Sequence, residues 1–98
     1  MNTFTITGTV NRKPVYRKAE GKRAVCFTTI AANTEGWYDQ FLPIRGFAAV
    51  AEDLRVLEKG EMVKITGQIN NVKVRDGYEL QLVANKVISI TMLLEEVE

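Results

Sequence analysis

Trp37, Phe41 and Arg45 recur at even spacing, so an extended strand would send all three side chains out of one face. Tyr38, Leu42 and Ile44 would then turn toward a core. Two flat rings beside a guanidinium suit stacking on unpaired nucleobases, with cation–π contacts in support. A second grouping of the same kind surrounds Asp76-Gly77. A two-residue turn at that dipeptide sets Arg75 opposite Tyr78 and Lys73 opposite Leu80. Charge gathers in a third place: residues 12–23 hold Arg12, Lys13, Arg17, Lys18, Lys22 and Arg23 against Glu20 alone, although the whole chain sums to +1. Arg12, Lys13, Arg17, Lys22 and Arg23 would neutralise phosphates without sequence preference, an interaction that weakens as salt rises. Each feature has a plainer alternative. The rings of Trp37 and Phe41 would also serve core or subunit-interface packing, and the cations would also serve as solvated surface.

Other chemistry is scarce. One cysteine, Cys26, and no histidine leave no disulfide framework, no Cys/His zinc site and no imidazole base. A nucleophile–base pair, a phosphate-cradling glycine loop and a carboxylate constellation are all missing, so neither catalysis nor a cofactor is expected. Cys26 lies within an apolar run and reads as a small core residue. The start, MNTFTITGTV, lacks the basic and apolar regions of a signal peptide, and no run approaches membrane-spanning length. The expectation is a cytoplasmic protein with no membrane partner.

The elements that must position these residues are mostly strands. Residues 3–10 alternate Phe4, Ile6 and Gly8 with threonines, a half-buried strand by period and composition. Pro14 and Gly21 bracket a bend and loop in which 15–17 resume the strand. Residues 24–32 form a second strand, 33–36 a tight turn, and 37–44 a third strand, with Pro43 requiring an edge or a bulge. If Cys26, Thr28 and Ile30 point inward, Phe27 points outward, either to stack or to meet another subunit. From Phe47 the period changes to that of a helix, with Phe47, Val50, Ala51, Leu54 and Leu57 on one face and Lys59-Gly60 at its end. A fourth strand runs from Val63 to Arg75, a fifth from Glu79 to Ala84, and 87–91 add a short apolar segment. The result is a mainly β chain, a five-stranded barrel with one helix between strands three and four, over residues 1–92. Residues 93–98 form an acidic tail.

Gly8, Val10, Pro14, Arg17, Gly21, Ala24, Val25, Ile30 and Ala31, followed by Trp37, Gly46, the helix, Lys59-Gly60, Val63 and Gly67, follow a familiar order and spacing. The chain resembles the bacterial single-stranded DNA-binding proteins of the OB fold, among which the related primosomal replication protein N shares the nine-residue step from Trp37 to Gly46. The resemblance implies sequence-independent binding of single-stranded DNA in replication, recombination or repair, with RNA as an open second ligand. It also implies a homodimer or homotetramer and association with replication or primosome proteins. Three departures temper this. The loop between strands two and three is short, the acidic tip that recruits partners in the family is missing, and Val74 stands where the family carries a further stacking tryptophan. Arg17 falls on a matched position, which singles it out among the cations. The competing expectation is an assembly module that keeps the barrel and turns its aromatic face to another polypeptide.

Overall fold

Phe4, Ile6 and Gly8 form the inner side of β1 (Phe4–Val10) and the intervening threonines its outer side. The computed structural model describes residues 2–33 and 39–91. After a break at 11–14, where Pro14 has no N–H to give to a ladder, β2 (Val15–Arg17) resumes the strand. The antiparallel β3 (Val25–Asn33) meets β1 at Val10↔Ile30 and β2 at Val15↔Phe27, so β1 and β2 act as one bent strand. β4 (Asp39–Phe47) pairs antiparallel with β3, and α1 (Ala49–Arg55) follows it. The long strands β5 (Met62–Val74) and β6 (Gly77–Ser89) make a hairpin. β5 pairs with β1, and β6 meets β4 in parallel at Ile44↔Leu82 and Arg45↔Val83. The ring β1–β3–β4–β6–β5 thereby closes on itself, an OB barrel with a helix between its third and fourth strands, as the sequence predicts.

Val10, Cys26, Ile30, Ile44, Val63 and Ile65 fill the barrel, and α1 lays Ala51 and Leu54 over one end. Burial pushes the Cys26 thiol up from its ordinary value, consistent with its reading as a packed small side chain. Two glycines permit the closure. A Cβ on Gly8 would strike the Ala31 carbonyl where β1 crosses β3, and one on Gly67 would strike the Val83 carbonyl beside a bulge.

Several boundaries differ from the sequence expectation. Phe47 belongs to β4, opposite Val25, and not to the helix face. Its three-residue step to Val50 fits a helix, but Ala48, at φ 53°, separates the two periods. The helix ends at Arg55, not at Lys59-Gly60. Tertiary bonds replace its last turn: Leu57 turns into the core, and Gly60 gives its N–H to the Val10 carbonyl at 2.8 Å. The separate segment expected at 87–91 is mostly β6 itself, which runs on to Ser89. Thr66 faces Lys86 while Gly67 faces Ala84, so Asn85 is an extra residue that breaks the alternation. Pro43 faces Thr29 on one side and lies just before the parallel pairing with β6, the edge-type position its missing donor requires. Of the expected turn at 33–36, Asn33 is instead the end of β3, opposite Asp39, while residues 34–36 together with Trp37 and Tyr38 lie outside the described residues.

Candidate nucleic-acid interface

Cys26, Thr28 and Ile30 of β3 and Ile44 of β4 are buried, which settles the parity of both strands. Phe27 therefore faces outward, and cross-strand register sets the outer side chains in rows: Arg17, Val25 and Phe47; Val15, Phe27 and Arg45; Thr29 and Pro43; Ala31 and Phe41. Phe41 is 59% exposed. Phe41 and Arg45 do share one face, as expected, while the third member of that grouping, Trp37, is not among the described residues. The Arg45 guanidinium lies 4.7 Å from the centroid of the Phe27 ring, and that of Arg23 lies 4.5 Å from the Phe47 ring. Both are cation–π stacks at the barrel surface.

Beside these rows a cleft runs from Arg12, Lys13 and Val15 across Phe27, Thr29 and Arg45 to Leu80 and Leu82, with Glu79 at its rim. Its lining joins the 11–14 segment on one side to residues 79–82 of β6 on the other. Local bonds hold the 11–14 segment in place: the Asn11 N–H donates to the Thr29 carbonyl and the Thr28 hydroxyl to the Arg12 carbonyl, each at 2.8 Å. That second bond also satisfies the buried threonine. Val15 and Leu80 are 48% and 72% exposed, and with Phe27 they line the cleft beside Arg12, Lys13 and Arg45, so it presents both apolar and cationic side chains.

The hairpin register differs from the expected one. Lys73 opposes Tyr78, Asn71 opposes Leu80, and the loop is Arg75-Asp76. An Asp-Gly primed turn needs positive φ at both residues, whereas only Gly77 takes it, at 138°. The loop thus sits one residue earlier, with glycine in the fourth position that ordinary turns favour. Lys73 and Tyr78 share the face that brings Leu80 and Leu82 to the cleft, and Tyr78 is 68% exposed. Arg75 stands in the turn itself.

Of the expected cations, Arg12, Lys13 and Arg45 line the cleft, while Arg17 and Arg23 extend the outer face of β3 and β4. Lys22 is exposed in the turn where its N–H meets the Ala19 carbonyl, and it does not line the cleft. Sequence reasoning missed Phe47, Val15 and Leu80 and left Phe27 open. Carrying the period of two one step past Arg45 would have found Phe47.

Tyr16 points the opposite way from Val15 and Arg17. Its hydroxyl donates to Glu52 of α1 at 2.8 Å, Arg55 pairs with the same carboxylate at 3.2 Å, and the Arg55 guanidinium lies 4.2 Å from the Tyr16 ring centroid. The Tyr16 hydroxyl, and after it Arg55, hold the Glu52 carboxyl below its ordinary range, and the same bond raises the Tyr16 phenol. This group fastens the helix to the barrel and stands apart from the cleft.

Among the described residues no cluster of acidic, cysteine or histidine side chains could hold a metal ion, and no helix is long and apolar enough to cross a membrane. The model of the single-strand binding protein family matches residues 1–92. The chain belongs to this family. Its fold is similar to that of the wild-type single-stranded DNA-binding protein from Thermus aquaticus, with a TM-score of 0.75 and 21% identity over 91% of this chain, and to a deletion mutant of that protein, with a TM-score of 0.76 and 22% identity over 91%. This family member spans 40% of the length of either Thermus aquaticus chain. It is also similar to the SSB domain of a Synechococcus protein, with a TM-score of 0.72 and 20% identity, over 89% of this chain and 93% of that one. Curated protein sequences give no significant match.

Proposed function

We propose that this family member binds single-stranded DNA without sequence preference, in replication, recombination or repair. The observation that carries the reading is the cleft and outer face where Phe27, Phe41 and Phe47 alternate with Arg12, Lys13, Arg23 and Arg45. Unpaired bases need flat surfaces, and phosphates need nearby cations. Phe41 of β4 and the Trp37 indole stack bases. Arg12, Lys13, Arg17, Arg23 and Arg45 contact phosphates, and Lys73, Arg75 and Tyr78 extend the path over the hairpin, with Lys22 a more distant contributor. Single-stranded RNA offers the same stacking and phosphate groups and is the second ligand of this reading. The working form is a homodimer or homotetramer in the cytoplasm, with replication or primosome proteins as associates and no catalytic activity.

Fluorescence titration tests the reading. Trp37 emission should be quenched by oligo-dT at low salt, the quenching should fall as salt rises, and duplex DNA should compete poorly. A folded chain that gives no response to oligo-dT or oligo-U, by emission or by anisotropy of a labelled strand, overturns it. Capture of another polypeptide by the same face would then favour an assembly module.

A further inference from the structure

Among the described residues three arginines lie over aromatic rings, but they differ in one respect. Arg55 over Tyr16 is neutralised by Glu52 at 3.2 Å. Arg45 over Phe27 and Arg23 over Phe47 give no side-chain hydrogen bond and no ion pair among the described residues. Arg45 is also the direct cross-strand neighbour of Phe27, so register holds the stack in place. In both unpaired contacts the guanidinium carbon lies over a phenyl ring, and no side-chain acceptor among the described residues takes up its N–H donors.

We infer that Arg45 and Arg23 are themselves the stacking platforms: the base lies on the guanidinium plane, which lies on the phenyl ring, and the free N–H groups reach the neighbouring phosphate. This rests on the proposed single-strand binding and changes what carries it, from ring to ring-backed guanidinium. Two physical arguments favour it. A base that displaced the guanidinium to reach Phe27 would forfeit the cation–π contact, whereas a base that stacks on the guanidinium keeps it and adds a second flat contact. Planarity also matters, because guanidinium stacks on π faces and presents a fixed fork of donors, while an ammonium offers a point charge only.

The discriminating variants keep the charge and remove the plane. Binding of a labelled oligo-dT would be followed by anisotropy across a salt series for the wild type, for Arg45→Lys, for the double variant Arg23→Lys/Arg45→Lys, and for Arg45→Ala. Arg45→Lys should weaken binding about fivefold to tenfold and the double variant further, both with the wild-type salt slope, because the number of neutralised phosphates is unchanged. Arg45→Ala should weaken binding and lower the slope by about 0.7. Lysine variants that bind as tightly as the wild type overturn the inference, because charge alone then suffices. An Arg45→Ala chain that binds more tightly also overturns it, because the guanidinium is then a lid over Phe27. Both results leave single-strand binding intact, whereas a wild type that fails to bind removes the proposed function and this inference together. Arg55→Lys serves as the comparison, with an expected loss of stability and unchanged oligo-dT affinity, and circular dichroism confirms that each variant is folded.

Discussion

Glu52 receives the Tyr16 hydroxyl and the Arg55 guanidinium on its two carboxylate oxygens, and its folded pKa is lowered as a result. A carboxyl with a depressed folded pKa adds stability above its unfolded value of about 4.3, and that stability disappears as pH falls through the folded value. The urea midpoint should therefore drop on acidification below that range, and Glu52→Gln should remove part of the drop while lowering stability near neutrality. The group is solvent-exposed, so the effect is small and salt-sensitive. At this scale the sequence was legible where parity alone decides. The outward Phe41 and Arg45 and the inward Ile44 follow from period two in β4, and the buried Cys26 from its apolar run. Tyr16, Glu52 and Arg55 were not legible as a group, because 36 residues separate the hydroxyl from its acceptor and only the folded chain joins them. The same limit hid the Arg45–Phe27 stack, which depends on β3–β4 register.

Ala48 joins β4 to α1 with φ 53° and ψ −122°, a conformation that suits glycine. A non-glycine residue held there costs on the order of 1–3 kcal/mol, and glycine's extra unfolded-state entropy offsets part of that. Ala48→Gly should raise stability by about 1 kcal/mol in equilibrium urea unfolding. An unchanged or lower midpoint would mean that the alanine is not strained. Elements with a clear period were readable: β1, β3, the core-facing side of α1 and the start of β5 stand where alternation or helical spacing puts them. Junctions were less so. Two periods overlap at Phe47, Gly60 is claimed by the Val10 carbonyl before a helix can use it, and Asn85 inserts an extra residue that reads as the end of a strand. At the hairpin, Asp76-Gly77 correctly marks a turn, but the dipeptide does not say which of its residues lies in the loop.

Net charge near zero would give little long-range attraction to a polyanion, so the placement of cations decides the behaviour of the whole molecule. Arg12 and Lys13 sit together on a wall that two backbone-anchored bonds hold against β3. Replacing both with glutamine should lower the slope of log affinity against log salt by about 1.4, at about 0.7 per phosphate on a single strand, with melting temperature preserved. An unchanged slope would place the phosphates elsewhere. Barrel closure has its own asymmetry. The β5–β6 ladder runs nearly the length of both strands, whereas β4 and β6 meet through only Ile44↔Leu82 and Arg45↔Val83. This seam, as short as the contact of β1 with β3 at Thr9↔Ala31 and Val10↔Ile30, is a place where the cylinder can breathe, and it runs through Arg45 and Leu82. A strand of nucleic acid lying across it would act as a suture, so that occupancy stiffens the protein at a joint its own backbone leaves thin.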